Sequence, residues 1–139
     1  MKVLYIASDK EIFDEDLLGQ SHLVELHLCP MRTAITGDSV RALPSLRSLH
    51  IGEWKSKLTS EDIAALTQLT CLAIEGTRGL DAKAFLPKLT RLTELHLVGI
   101  GCDGIDPLLP HLQVTFASSL WFLFFYSRFQ CDGLGKTCR

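Results

Sequence analysis

Apolar residues fall into the pattern L-x-x-L-x-L four times: Leu23, Leu26, Leu28; Leu46, Leu49, Ile51; Leu69, Leu72, Ile74; and Leu92, Leu95, Leu97. The middle members Leu26, Leu49, Leu72 and Leu95 are 23 residues apart at every step. A step of 22 back from Leu26 reaches Leu4, with Ile6 in the last apolar slot and Met1 in the first. In each copy the last two apolar residues flank a single position of the opposite face. That alternation predicts a strand with one buried side. A fixed period of this length marks an internal repeat of about 23 residues per unit.

The segments between the strands hold further apolar residues. They carry Ile12, Leu17 and Leu18; Ile35, Val40 and Leu43; Leu58, Ile63 and Leu66; and Leu80, Phe85, Leu86 and Leu89. Ile63, Leu66 and Leu69 are spaced for a short helix or 3₁₀ turn. Thr59 or Ser60 can cap it, with Glu61 and Asp62 in its first turn. Pro44 and Pro87 come late in their segments, where they stop a helix before the next strand. Gly52, Gly76 and Gly99 follow three of the strands and suit a turn off the sheet.

Over residues 1–113 this pattern resembles the leucine-rich repeat family. The resemblance implies an α/β solenoid with about five parallel strands on its concave side and short helical or irregular return segments. It also implies a binding scaffold that receives its partner on the concave face.

Register then fails. A further step of 23 from Leu92, Leu95 and Leu97 lands on Thr115, Ser118 and Leu120, so two of three core slots are polar. Leu109 and Leu112 still obey the pattern, which puts the break after about Leu112. We therefore divide the chain into a repeat region, 1–113, and a remainder, 114–139, made of an apolar aromatic run (Val114 to Tyr126) and a polar, glycine-containing end. The run is short of the roughly 18 apolar residues of a spanning helix. It is expected to cover the last repeat or to be degenerate sequence, with a membrane anchor as the alternative. The chain starts directly on a strand, so the expectation is a slice of a longer solenoid or a truncated relative of one.

Composition narrows the partners. Hydrophobic residues make up 47% of 139, enough for a substantial core, and the formal net charge is -2. Lysine and arginine form no cluster that could track a phosphate backbone, so nucleic acid is not expected. Cys29, Cys71, Cys102, Cys131 and Cys138 are odd in number and widely spaced, which points to reduced thiols and a cytoplasmic protein. Gly135-Lys136-Thr137 ends like a phosphate-binding loop. However, Gln130 stands where that loop needs glycine, and only Cys138 and Arg139 follow.

Specificity has to lie between the leucines. One outward row is Tyr5, His27, His50, Ala73 and His96; two positions earlier on the same face are Val3, Glu25, Ser48, Cys71 and Glu94. Strands about 4.8 Å apart make His27 and His50 neighbours. A solvated polar face is the default for such residues; the resemblance implies a partner-binding surface of Tyr5, Glu25, His27, Ser48, His50, Cys71, Glu94 and His96. Histidine, glutamate and cysteine are suitable metal ligands, but a flat ladder does not converge four of them on one point. No metal, cofactor or small-molecule substrate is therefore expected. Coupled protonation of His27 and His50 would make partner binding change between about pH 5 and 7.

No nucleophile, base and orienting group fall in a recognisable motif, so no enzyme is expected. The reading is a non-catalytic protein–protein interaction scaffold. The alternatives are a membrane-associated repeat protein held by the aromatic segment 114–126, or the regulatory subunit of an enzyme complex.

Overall fold

The repeated apolar triplets become strands of one parallel sheet. A computed structural model describes residues 2–6, 11–28, 34–52, 57–75 and 79–98, together with the backbone of 113–114. Met1, Gly76, Gly99, Cys29, Cys102, Cys131, Cys138 and residues 115–139 lie outside the described residues. The strands are β1 (Lys2–Ile6), β2 (Leu23–Leu28), β3 (Ser48–Gly52), β4 (Cys71–Glu75), β5 (Glu94–Val98) and β6 (Gln113–Val114). Their order in the sheet is their order in the chain, and every neighbouring pair is parallel.

Each of the four returns between β1 and β5 carries a short helical element: a 3₁₀ turn at Asp14–Leu17, α1 at Gly37–Arg41, α2 at Ser60–Ala64, and α3 at Ala82–Phe85, which runs on into a 3₁₀ turn at Leu86–Lys88. Helices of four or five residues cannot stand alone. They persist because each buries residues against the core, and α2 and α3 also have capped first turns. Thr59 caps α2, its hydroxyl accepting from the Asp62 amide at 3.2 Å while Asp62 Oδ2 accepts from the Thr59 amide at 2.9 Å. Asp81 caps α3, accepting from the Lys83 amide at 3.0 Å. Pro87 sits in the first turn of its 3₁₀ segment, where no amide hydrogen is needed, rather than ending a longer helix.

A repeated turn delivers the chain to β2, β3, β4 and β5. The amide of Leu23 donates to the carbonyl of Gln20 (2.8 Å), Leu46 to Leu43 (3.1 Å), Leu69 to Leu66 (3.0 Å) and Leu92 to Leu89 (3.1 Å). The first leucine of each triplet therefore ends the turn, at or just before the start of the strand, and the other two lie within the strand. In register, Leu4, Leu26, Leu49, Leu72 and Leu95 form one row of the core, and Ile6, Leu28, Ile51, Ile74 and Leu97 the next. Ile35, Val40, Ile63, Ala82 and Phe85 close the core from the return side. Leu26, Leu49 and Leu72 have no exposed surface, so truncating any one to alanine should cost about 2–5 kcal/mol. Gly19, with φ 77°, turns the chain in the left-handed region that side chains disfavour.

The sequence register and the structure differ after β5. The sixth strand pairs Gln113 with Glu94 and Val114 with Leu95, a step of 19 rather than 23. The shorter step makes the sheet six strands rather than the expected five, and it spans the 113/114 junction. A step of 19 from Leu92, Leu95 and Leu97 reads His111, Val114 and Phe116, a fainter pattern that a fixed period of 23 passes over.

Candidate functional site

Period-two alternation puts the leucines on one side of the sheet and the residues between them on the other. Three rows run across that second side. The first is Val3, Glu25, Ser48, Cys71 and Glu94; the second is Tyr5, His27, His50, Ala73 and His96. All eight residues expected at a partner surface are brought to this one face. The third row, Gly52, Glu75 and Val98, adds a residue that the sequence pattern does not single out. Glu75 lies two positions past Ala73, so extending the same alternation by one step finds it.

The second row is packed as a file of rings. Tyr5 stacks on His27 with centroids 4.3 Å apart and planes at 27°. His27 and His50 are 5.3 Å apart, tilted by 44°. Glu25 Oε1 accepts from His27 Nε2 at 2.6 Å. These contacts leave His27 only 3% exposed, so the default of a solvated face fails there. In-register rings one strand spacing apart fill the gap that water would occupy. His50 is nearly as closed, with 11% of its side chain exposed.

Ala73 has no reach, and across it Glu75 sits between two histidines. Its Oε1 is 3.9 Å from His50 Nε2 and 3.6 Å from His96 Nε2, close enough for charge attraction but long for a hydrogen bond. His96 Nδ1 is buried without a hydrogen-bond partner among the described residues.

Burial pushes the His50 imidazole down to about 4; Glu75 opposes that shift, and His27 and His96 reinforce it. Repulsion between His27 and His50 is thus present but secondary to desolvation. The net shift favours the neutral imidazole of His50. The Cys71 thiol is raised to about 11, first by burial; the Ser48 hydroxyl opposes, and the Glu94 carboxylate adds to the rise. A thiol so poised is a poor nucleophile at neutral pH.

Among the described residues no group of three or more His, Cys, Asp or Glu side chains is placed to hold a metal ion. Among the same residues no helix is long and apolar enough to cross a membrane. The aromatic segment beyond Val114, weighed as an anchor, lies outside them.

No protein-family model matches this chain, and neither a curated protein nor a solved structure matches it.

Proposed function

We propose that the chain is a leucine-rich repeat solenoid acting as a non-catalytic scaffold, with a protein partner seated on the sheet face opposite the leucine core. One observation carries this reading. Tyr5, His27, His50 and His96 stand in register on a single face across five consecutive strands, with Ala73 between the last two and Glu75 beside it. Repeated backbone units hold such a face rigid at little cost in side-chain ordering, which favours association with another macromolecule. The raised thiol of Cys71, a poor nucleophile at neutral pH, favours binding over chemistry.

The test is affinity capture with isotope-labelled quantification. Baits are the full chain, the double variant Tyr5→Ala with Glu94→Lys, and Lys83→Glu on the return side as control. Both substitutions of the double variant fall on exposed residues, so the fold should survive, and circular dichroism checks that it does. Partners should be depleted severalfold by the face variant and retained by Lys83→Glu. Equal recovery on all three baits would count against the reading.

A further inference from the structure

The face has a sign. Its strand positions hold Glu25, Glu75 and Glu94 and neither lysine nor arginine. The adjacent Arg47 is engaged elsewhere, donating to the carbonyls of Pro44 at 3.2 Å and Leu46 at 3.0 Å. Glu94 is exposed and makes no ion pair with another described residue. Glu25 keeps 29% of its side chain open beside His27. One strand away on the sheet edge, Tyr5 is 48% exposed and its ring is fixed by stacking on His27.

An accessible carboxylate next to a fixed, half-exposed aromatic ring suits a guanidinium group. The planar cation pairs with the carboxylate through its fork and lies against the ring. A second carboxylate stands at the other end of the same row. Glu25 on β2 and Glu94 on β5 are three strand steps apart, or about 14 Å at about 4.8 Å per step. An extended chain rises about 3.3 Å per residue, so side chains about four residues apart span that distance.

We propose that this face takes an extended polypeptide segment bearing two cationic side chains about four residues apart, arginine above all, one against Tyr5 and Glu25 and the other against Glu94. The proposal deepens the reading of the face as a protein-binding surface and rests on it. Electrostatic complementarity selects the segment and speeds its encounter, while the buried histidine file provides the rigid floor.

The probe is a fluorescently labelled peptide with two arginines four apart in a glycine–glutamine background, followed by polarisation on the full chain. Companion peptides carry glutamine or glutamate in place of both arginines, or the two arginines side by side. The spaced-arginine peptide should bind best and weaken as salt rises. Glu94→Gln should weaken it about three- to tenfold, and Glu94→Lys further. Glu61→Gln, on the return side, should leave it unchanged.

No arginine-peptide binding up to ~1 mM would overturn the proposal. So would binding that is indifferent to Glu94→Lys. Tighter binding of the glutamine or glutamate peptide, still sensitive to Tyr5→Ala, would overturn the charge assignment and leave the binding face standing. Peptide binding and captured partners that both ignore the face substitutions would remove the two together.

Discussion

Gly37 and Asp62 meet across two successive return segments with no room for a side chain between them. A methyl group on Gly37 would fall 2.7 Å from Asp62 Oδ2 and nearer still to Oδ1. Asp62 cannot easily retreat. Its Oδ2 accepts from the Thr59 amide and hydroxyl, each at 2.9 Å, and its Oδ1 accepts from Arg41 Nη1 at 2.6 Å. Gly37→Ala must therefore displace the cap of α2 and the link from α1. Overpacking and cap loss together should cost about 2 kcal/mol. Urea unfolding followed by circular dichroism reads this directly. An unchanged midpoint would show that the two segments separate freely.

The same contacts set an acid limb. Asp62 is held below the usual carboxylate range: burial acts against this, and the Thr59 amide and hydroxyl with Arg41 outweigh it. Asp14 is lowered first by the Thr36 amide, which donates to Oδ1 at 2.7 Å. Both groups bind protons less readily folded than unfolded. Their contribution is complete above the unfolded carboxylate value of about 4 and is lost as pH falls through the folded values. Stability should decline on acidification below about pH 4, and Asp14→Asn with Asp62→Asn should flatten that decline. The readout is the unfolding midpoint across pH 2 to 7, with the flattening expected only at the acid end.

Much of the core is written in the spacing of the leucines. Leu26, Leu49, Leu72 and Leu95 recur every 23 residues, and the same four are paired in the sheet. Thr59 and Asp62 also carry their cap in plain sequence, because capping is a local interaction. What happens between side chains on the open face is less legible. Alternation puts His27 on that face, but its burial depends on Tyr5, Glu25 and His50 closing on it from two neighbouring strands and its own. Glu75 escapes notice because its role depends on the small residue Ala73, which lets one carboxylate stand between His50 and His96. The step of 19 to β6 is hidden because pairing requires a strand, not a fixed length of return.

His50 should report its burial through proton NMR. Its ring resonances should titrate near pH 4, far below the ordinary histidine value of about 6.5. The unfolded chain then binds a proton that the folded chain refuses between about pH 6.5 and 4. Stability from this group is complete above the unfolded value and falls as pH drops toward the folded one. His50→Gln should reduce the slope of stability against pH in that interval while leaving the slope above about pH 7 unchanged. A His50 titration midpoint above 6 would mean that water reaches the ring.

Cys71 offers a separate reading of the same packing. Its thiol is raised to about 11, chiefly by burial, although the Ser48 hydroxyl favours the thiolate. Only the thiolate attacks an alkylating agent, so at pH 8 the folded protein presents very little of the reactive form. Alkylation of Cys71 by iodoacetamide should be on the order of a hundredfold slower in the folded than in the urea-unfolded chain. Mass spectrometry of the peptide containing Cys71 separates it from the other thiols. Ser48→Ala should slow the reaction further, because it removes the donor that stabilises the thiolate. Glu94→Gln should quicken it, because it removes the neighbouring negative charge. Those opposite changes, from residues on either side of Cys71 in one row, distinguish electrostatic control from simple steric shielding. Shielding alone would leave both variants at the wild-type rate.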